Sequence, residues 1–81
     1  MKDKIIKRLL KKLYRRNYWG GKHTSIDNLP KGLPPEYRKP AKMIVKDLIK
    51  EGFLIKKPTS YGLEVSLNPR KRKEIEEIIR G

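Results

Sequence analysis

Lys39, Lys42, Lys46 and Lys50 recur at intervals of three and four residues, the spacing that lines side chains along one face of an α-helix. Ammonium groups in such a row make and break no bonds. Their chemistry is to displace the counterions condensed on a polyanion and to fix its orientation. Charge runs are commonly solvated faces, but a face built only for solubility mixes its signs. Like charges at i, i+4 destabilise a helix by a few tenths of a kcal/mol, and both Lys42/Lys46 and Lys46/Lys50 carry that cost. Asp47 and Glu51 lie off to one side of the stripe. Arg38, nearer the start of the same segment, has a guanidinium able to fork to a guanine edge or to join an interhelical ion pair. Met43 borders the stripe and suits either a thymine methyl or a protein contact.

Two further cationic groups follow. Lys56 and Lys57 precede a tip of Thr59, Ser60 and Tyr61, a hairpin end able to contact phosphate or enter a minor groove. Arg70-Lys71-Arg72-Lys73 then occupies the first turns of a predicted last helix, where the dipole disfavours cations by about 0.3–1 kcal/mol each. Glu74, Glu76 and Glu77 offset this only in part, because cation before anion is the weaker i, i+4 order. Either Arg70, Lys71 and Arg72 serve an outside anion, or the block laces the helix with salt bridges for heat stability.

Nothing in the chain has the pattern of a catalytic or metal site. There is no Cys, and His23 stands alone, which suits a surface or capping role better than ligation. Thr24 and Ser25 have no activating base beside them and read as cap residues. No convergent carboxylate pair can be built. The expectation is therefore a protein that is no enzyme and uses no cofactor or metal. Tyr14, Tyr18 and Trp19 fall at a helix end as core or lid, and Tyr37 is expected to pack.

The elements that must position these groups follow from periodicity and punctuation. Lys2 to Trp19 reads as a helix with Ile5, Ile6, Leu9, Leu10 and Leu13 on its apolar face and Lys4, Lys7, Arg8, Lys11, Lys12 and Arg15 opposite, ended by Gly20-Gly21. A brief strand over residues 22–24 precedes a Thr24-Ser25-Ile26-Asp27 capping box and a short helix that Pro30, Gly32, Pro34 and Pro35 soon break. A third helix is predicted over residues 35–51, kinked at Pro40 or starting there, with Ala41, Ile44, Val45, Leu48 and Ile49 inward and Gly52 as its stop. Strands over 53–57 and 63–67 flank a loop at 58–62; pairing Lys56 with Glu64 sets Ile55 opposite Val65 and Phe53 opposite Leu67. Asn68 and Pro69 are suited to cap and open a last helix reaching Arg80, with Ile75, Ile78 and Ile79 inward.

The whole chain sets the scale. Its 81 residues carry 22 Lys+Arg against 9 Asp+Glu, a formal charge of +13, a field that attracts nucleic acid or anionic lipid. One domain over residues 1–81 is expected, too small for a deep catalytic cavity. The absence of Cys suits a reducing compartment, and the Lys, Arg, Glu and Ile bias without any Gln resembles a heat-adapted proteome. No stretch has the apolar length of a secretory leader or a membrane span.

Two stretches carry a family resemblance. "VKDLIKEGFL" (45–54) is similar to the end of a recognition helix running into a wing, and "YGLEVSLNPRKRKEIEEII" (61–79) to a second wing strand and terminal helix. With the order helix, short strand, short helix, helix, hairpin, helix, the chain resembles the winged helix-turn-helix domains, in particular small archaeal members. Pro40 and the Pro- and Gly-rich residues 30–35 depart from the family's usual turn. The resemblance implies a mostly helical α+β fold with a three-helix core, a two-stranded wing joined by a short third strand, and a C-terminal helix. It also implies a transcription regulator of the cytoplasm and nucleoid that binds duplex DNA, its third helix in the major groove and its wing alongside. Arg38, Lys39, Lys42, Met43, Lys46, Lys50, Lys56, Lys57, Thr59, Ser60, Tyr61, Arg70, Lys71 and Arg72 are the candidate contacts. Binding to ribosomal or transfer RNA is the alternative, though no aromatic pair on a strand supports it. A protein-interaction module dimerising through its terminal helices is another, and attachment of the first helix to membrane ranks last, since its apolar stripe is needed for the core.

Overall fold

The computed structural model describes residues 2–81. In chain order it contains helix α1 (Lys2–Arg15), strand β1 (Thr24–Ser25), a 3₁₀ turn (Ile26–Asn28), helix α2 (Pro35–Lys50), strands β2 (Leu54–Thr59) and β3 (Gly62–Leu67), a second 3₁₀ turn (Pro69–Lys71) and helix α3 (Arg72–Arg80). The class is α+β: three α-helices and one antiparallel sheet with strand order β1-β3-β2. Ile5, Leu9, Leu10 and Leu13 of α1, Ala41, Ile44, Val45 and Leu48 of α2, Leu54, Val65 and Leu67 of the sheet and Ile75 of α3 close one core, joined by Leu29 and Leu33.

Helix α1 stops well short of Trp19. Asn17 takes a left-handed φ of 57°, the Asn17 N–H donates to the Tyr14 carbonyl, and the Tyr18 N–H donates to the Leu13 carbonyl, both at 3.1 Å. This pair of bonds is a Schellman stop, so Asn17 ends the helix and the Gly20-Gly21 pair does not. Residues 18–20 instead run beside the end of β3, where the Leu67 N–H donates to the Tyr18 carbonyl at 2.7 Å and the Gly20 N–H donates to the Leu67 carbonyl at 3.2 Å. Pairing with β3 decides the path of this segment, which helical periodicity could not show.

The short strand falls at Thr24–Ser25, not at residues 22–24, and the helix after it is a single 3₁₀ turn. Its cap is Ser25, whose Oγ accepts the Asp27 N–H at 3.2 Å. The hydroxyl of Thr24, expected to cap, accepts instead from the Asn28 side-chain amide at 3.0 Å.

Helix α2 begins at Pro35 and continues through Pro40, so Pro40 does not open it. Pro40 removes only the N–H that would have bonded to exposed Glu36, in the first turn. Gly52, at φ 86°, ends the helix as expected: the Phe53 N–H donates to the Leu48 carbonyl at 2.9 Å and the Gly52 N–H to the Ile49 carbonyl at 3.1 Å.

The hairpin is shifted by one residue from the predicted pairing. Lys57, not Lys56, lies opposite Glu64; Lys56 faces Val65, Ile55 faces Ser66 and Leu54 faces Leu67. A slip of one exchanges the two faces of a strand, so Leu54 is 2% exposed while Ile55 is 41% exposed. With this register Pro58 belongs to the strand and not to the loop. As β2 is an edge strand, a residue lacking an N–H is accommodated there, and the turn contracts to Ser60-Tyr61. Asn68 then performs two tasks. Its Oδ1 accepts the Arg70 N–H at 3.0 Å, capping the 3₁₀ turn Pro69–Lys71, while α3 itself opens at Arg72 and not at Pro69 as expected; its Nδ2 donates to the Gly52 carbonyl at 2.8 Å, tying that turn to the end of α2.

Candidate nucleic-acid interface

Burying Ala41, Ile44, Val45 and Leu48 turns the opposite side of α2 outward, and Lys39, Lys42, Lys46 and Lys50 are all exposed there. Among the described residues no carboxylate lies within ion-pair range of these four ammonium groups. Met43, 68% exposed, borders the row. Arg38 is exposed, but its Nε donates to the Leu33 carbonyl at 3.1 Å, so part of the guanidinium braces the loop that enters α2.

In the hairpin, Lys56, Lys57 and Ser60 are exposed, and Tyr61 at the turn is 97% exposed. Thr59 shapes the tip from within: its Oγ1 accepts the Tyr61 N–H at 3.2 Å and donates to the Gly62 carbonyl at 2.8 Å. The third group divides. Arg70 is exposed, whereas Lys71 lies over the Phe53 ring, 5.5 Å from its centroid, and 3.7 Å from Glu74. Arg72 sits 4.1 Å from the Trp19 centroid and 3.6 Å from Glu76. Two members of the basic block therefore hold α3 to the rest of the fold.

One basic surface escaped the linear reading. Lys4, Lys7, Arg8, Lys11, Lys12 and Arg15 of α1, with Arg16 just beyond it, face Lys31, Gly32, Leu33 and Tyr37 across a groove of about 950 Å³. The α1 cations were visible only as the polar side of an amphipathic helix; their opposing wall comes from the loop before α2 and the first turn of α2, both distant in sequence. Lys12 joins the two walls, its Nζ donating to the carbonyls of Asn28 at 2.5 Å and Lys31 at 2.7 Å. Burial first, then the like charges of Arg16 and Lys31, lower its pKa from the usual 10.5.

The remaining polar contacts are structural. His23 is half-buried and pairs with Glu64 of β3, a contact more specific than the surface or capping role expected of it. No group of three or more potential metal ligands occurs among the described residues. Tyr14 donates its hydroxyl proton to Glu76 at 2.7 Å and meets Trp19 edge-on. No helix among the described residues is long and apolar enough to cross a membrane. No family model, curated protein or solved structure matches the chain.

Proposed function

We propose that the protein binds double-stranded DNA as a winged-helix regulator of transcription, with α2 in the major groove and the β2–β3 hairpin against the backbone or minor groove. The observation that carries this reading is the row of four exposed lysines on α2 with no carboxylate in range among the described residues. An element order compatible with a winged-helix topology supports it, as does the charge of +13. Lys39, Lys42, Lys46 and Lys50 replace counterions along the phosphates, Arg38 and Met43 reach towards base edges, and Lys56, Lys57, Ser60 and Tyr61 meet the flanking backbone.

A salt titration of duplex binding tests the mechanism. With about six phosphates engaged, log K falls against log salt with a slope near −5, and Lys42→Ala/Lys46→Ala/Lys50→Ala makes that slope shallower by about 2.7. A slope near zero refutes the mechanism. Competition between a duplex and a structured RNA of equal charge tests the class of nucleic acid; preference for the RNA replaces the DNA reading with the RNA one.

A further inference from the structure

The groove beside α1 shares no residue with the α2 row or the hairpin. Building on the duplex-binding reading, we propose that this groove holds the phosphate backbone of a second duplex segment, so that one chain bridges two segments.

Charge identifies the occupant. Eight Lys and Arg side chains line the groove, and among the described residues none of them is ion-paired to an Asp or Glu carboxylate, although the Lys7 Nζ donates to the Gly81 oxygen at 2.7 Å. Lys4/Arg8, Lys7/Lys11, Arg8/Lys12, Lys11/Arg15 and Lys12/Arg16 are all like-charged i, i+4 pairs, each unfavourable unless an outside anion relieves it. The held position of Lys12 sharpens this. Its ammonium is fixed by two carbonyls between the walls, where the neighbouring Arg16 and Lys31 work against its charge; a phosphate in the groove reverses that effect.

Dimensions and surface chemistry favour a duplex backbone over splayed bases. From Lys4 to Arg16 the helical rise gives roughly 18 Å, the axial length of about five phosphates of one strand. The loop wall is open at Gly32, where a Cβ would meet no atom within 4 Å. Single-strand readers stack bases on free aromatic faces. Tyr37 is the one aromatic lining the groove, and the Arg8 guanidinium sits 5.9 Å from its ring centroid. Helices α1 and α2 both turn apolar stripes into the same core, and none of Lys39, Lys42, Lys46 and Lys50 lines the groove.

The test is capture of a second, labelled duplex by protein bound to a bead-tethered duplex, with the wild-type chain shown by light scattering to be monomeric. The groove variant Lys4→Ala/Arg15→Ala/Lys31→Ala removes three exposed cations; circular dichroism and a melting curve verify its fold. Bridging predicts that wild type captures the second duplex, that the groove variant lowers capture tenfold or more, and that its affinity for the first duplex stays within threefold. The charge-preserving Lys4→Arg/Arg15→Lys/Lys31→Arg variant retains capture. Capture unchanged in the groove variant overturns the proposal, as does wild type that binds one duplex and never a second. A tenfold loss of first-duplex affinity in the groove variant also overturns it, because the two surfaces would then form one site. The Lys42→Ala/Lys46→Ala/Lys50→Ala variant separates this proposal from the α2 reading. Unchanged affinity there, with binding lost on adding the groove substitutions, retains the groove as a duplex site and rejects α2 as the principal one.

Discussion

Arg72 shows how a single cation can be drawn away from an apparent binding block. Its guanidinium lies over Trp19 and beside Glu76, so it holds α3 against the segment that leaves α1. An exposed cation–π contact contributes about 0.5–1 kcal/mol. Arg72→Gln is expected to lower stability by about that amount in urea unfolding, while changing duplex affinity less than Lys46→Ala does in the same titration. Tyr14 supplies a pH signature. Its hydrogen bond to Glu76, then burial, raises its pKa above 10.0. A phenol with a raised folded-state pKa contributes stability below its unfolded value and loses it as pH rises through the folded one. Urea midpoints measured from pH 8 to pH 11 should therefore fall on the alkaline side in wild type, and the part due to this bond should vanish in Tyr14→Phe.

Among the elements, the hairpin offers the sharpest discrimination, since a one-residue slip reverses which side chains are buried. Leu54→Ala should cost about 2–5 kcal/mol, and Ile55→Thr should stay within about 0.5 kcal/mol; the opposite ranking in chemical denaturation would support the pairing of Lys56 with Glu64. The stop of α2 is also testable. A Cβ at Gly52 would lie 3.8 Å from the Lys71 side chain, an ordinary contact, but φ is +86°. Gly52→Ala is expected to destabilise by about 1–2 kcal/mol through backbone strain alone, an effect that trimming Lys71 should leave unchanged.

For the whole molecule, a charge of +13 acts in opposite directions on folding and on binding. Self-repulsion opposes the compact state and salt screens it, while the same salt weakens attraction to a polyanion. Melting temperature should consequently rise between 50 and 500 mM KCl as duplex affinity falls. A melting temperature that drops over this range would mean that favourable ion pairs outweigh the repulsion. All of these cations share a body with principal extents of only 32 × 28 × 22 Å. Under the bridging proposal, two nucleic-acid segments held by one chain would therefore lie within a few tens of ångströms of each other.

Short-range chemistry made much of this protein legible in its residues. The lysine row of α2, the apolar face behind it, the Gly52 stop, the Asn68 cap and the excess of positive charge depend on neighbours within one or two helical turns or on composition. Tertiary structure decided the rest, because those features depend on partners far along the chain. Pairing of residues 18–20 with Leu67 accompanies the stop of α1 at Asn17, and Pro58 became tolerable once β2 lay at the sheet edge. Trp19 and Phe53 recruited Arg72 and Lys71 only after α3 packed beside them. The basic groove needed residues 4–16 to meet residues 31–37, which no periodicity along either segment encodes.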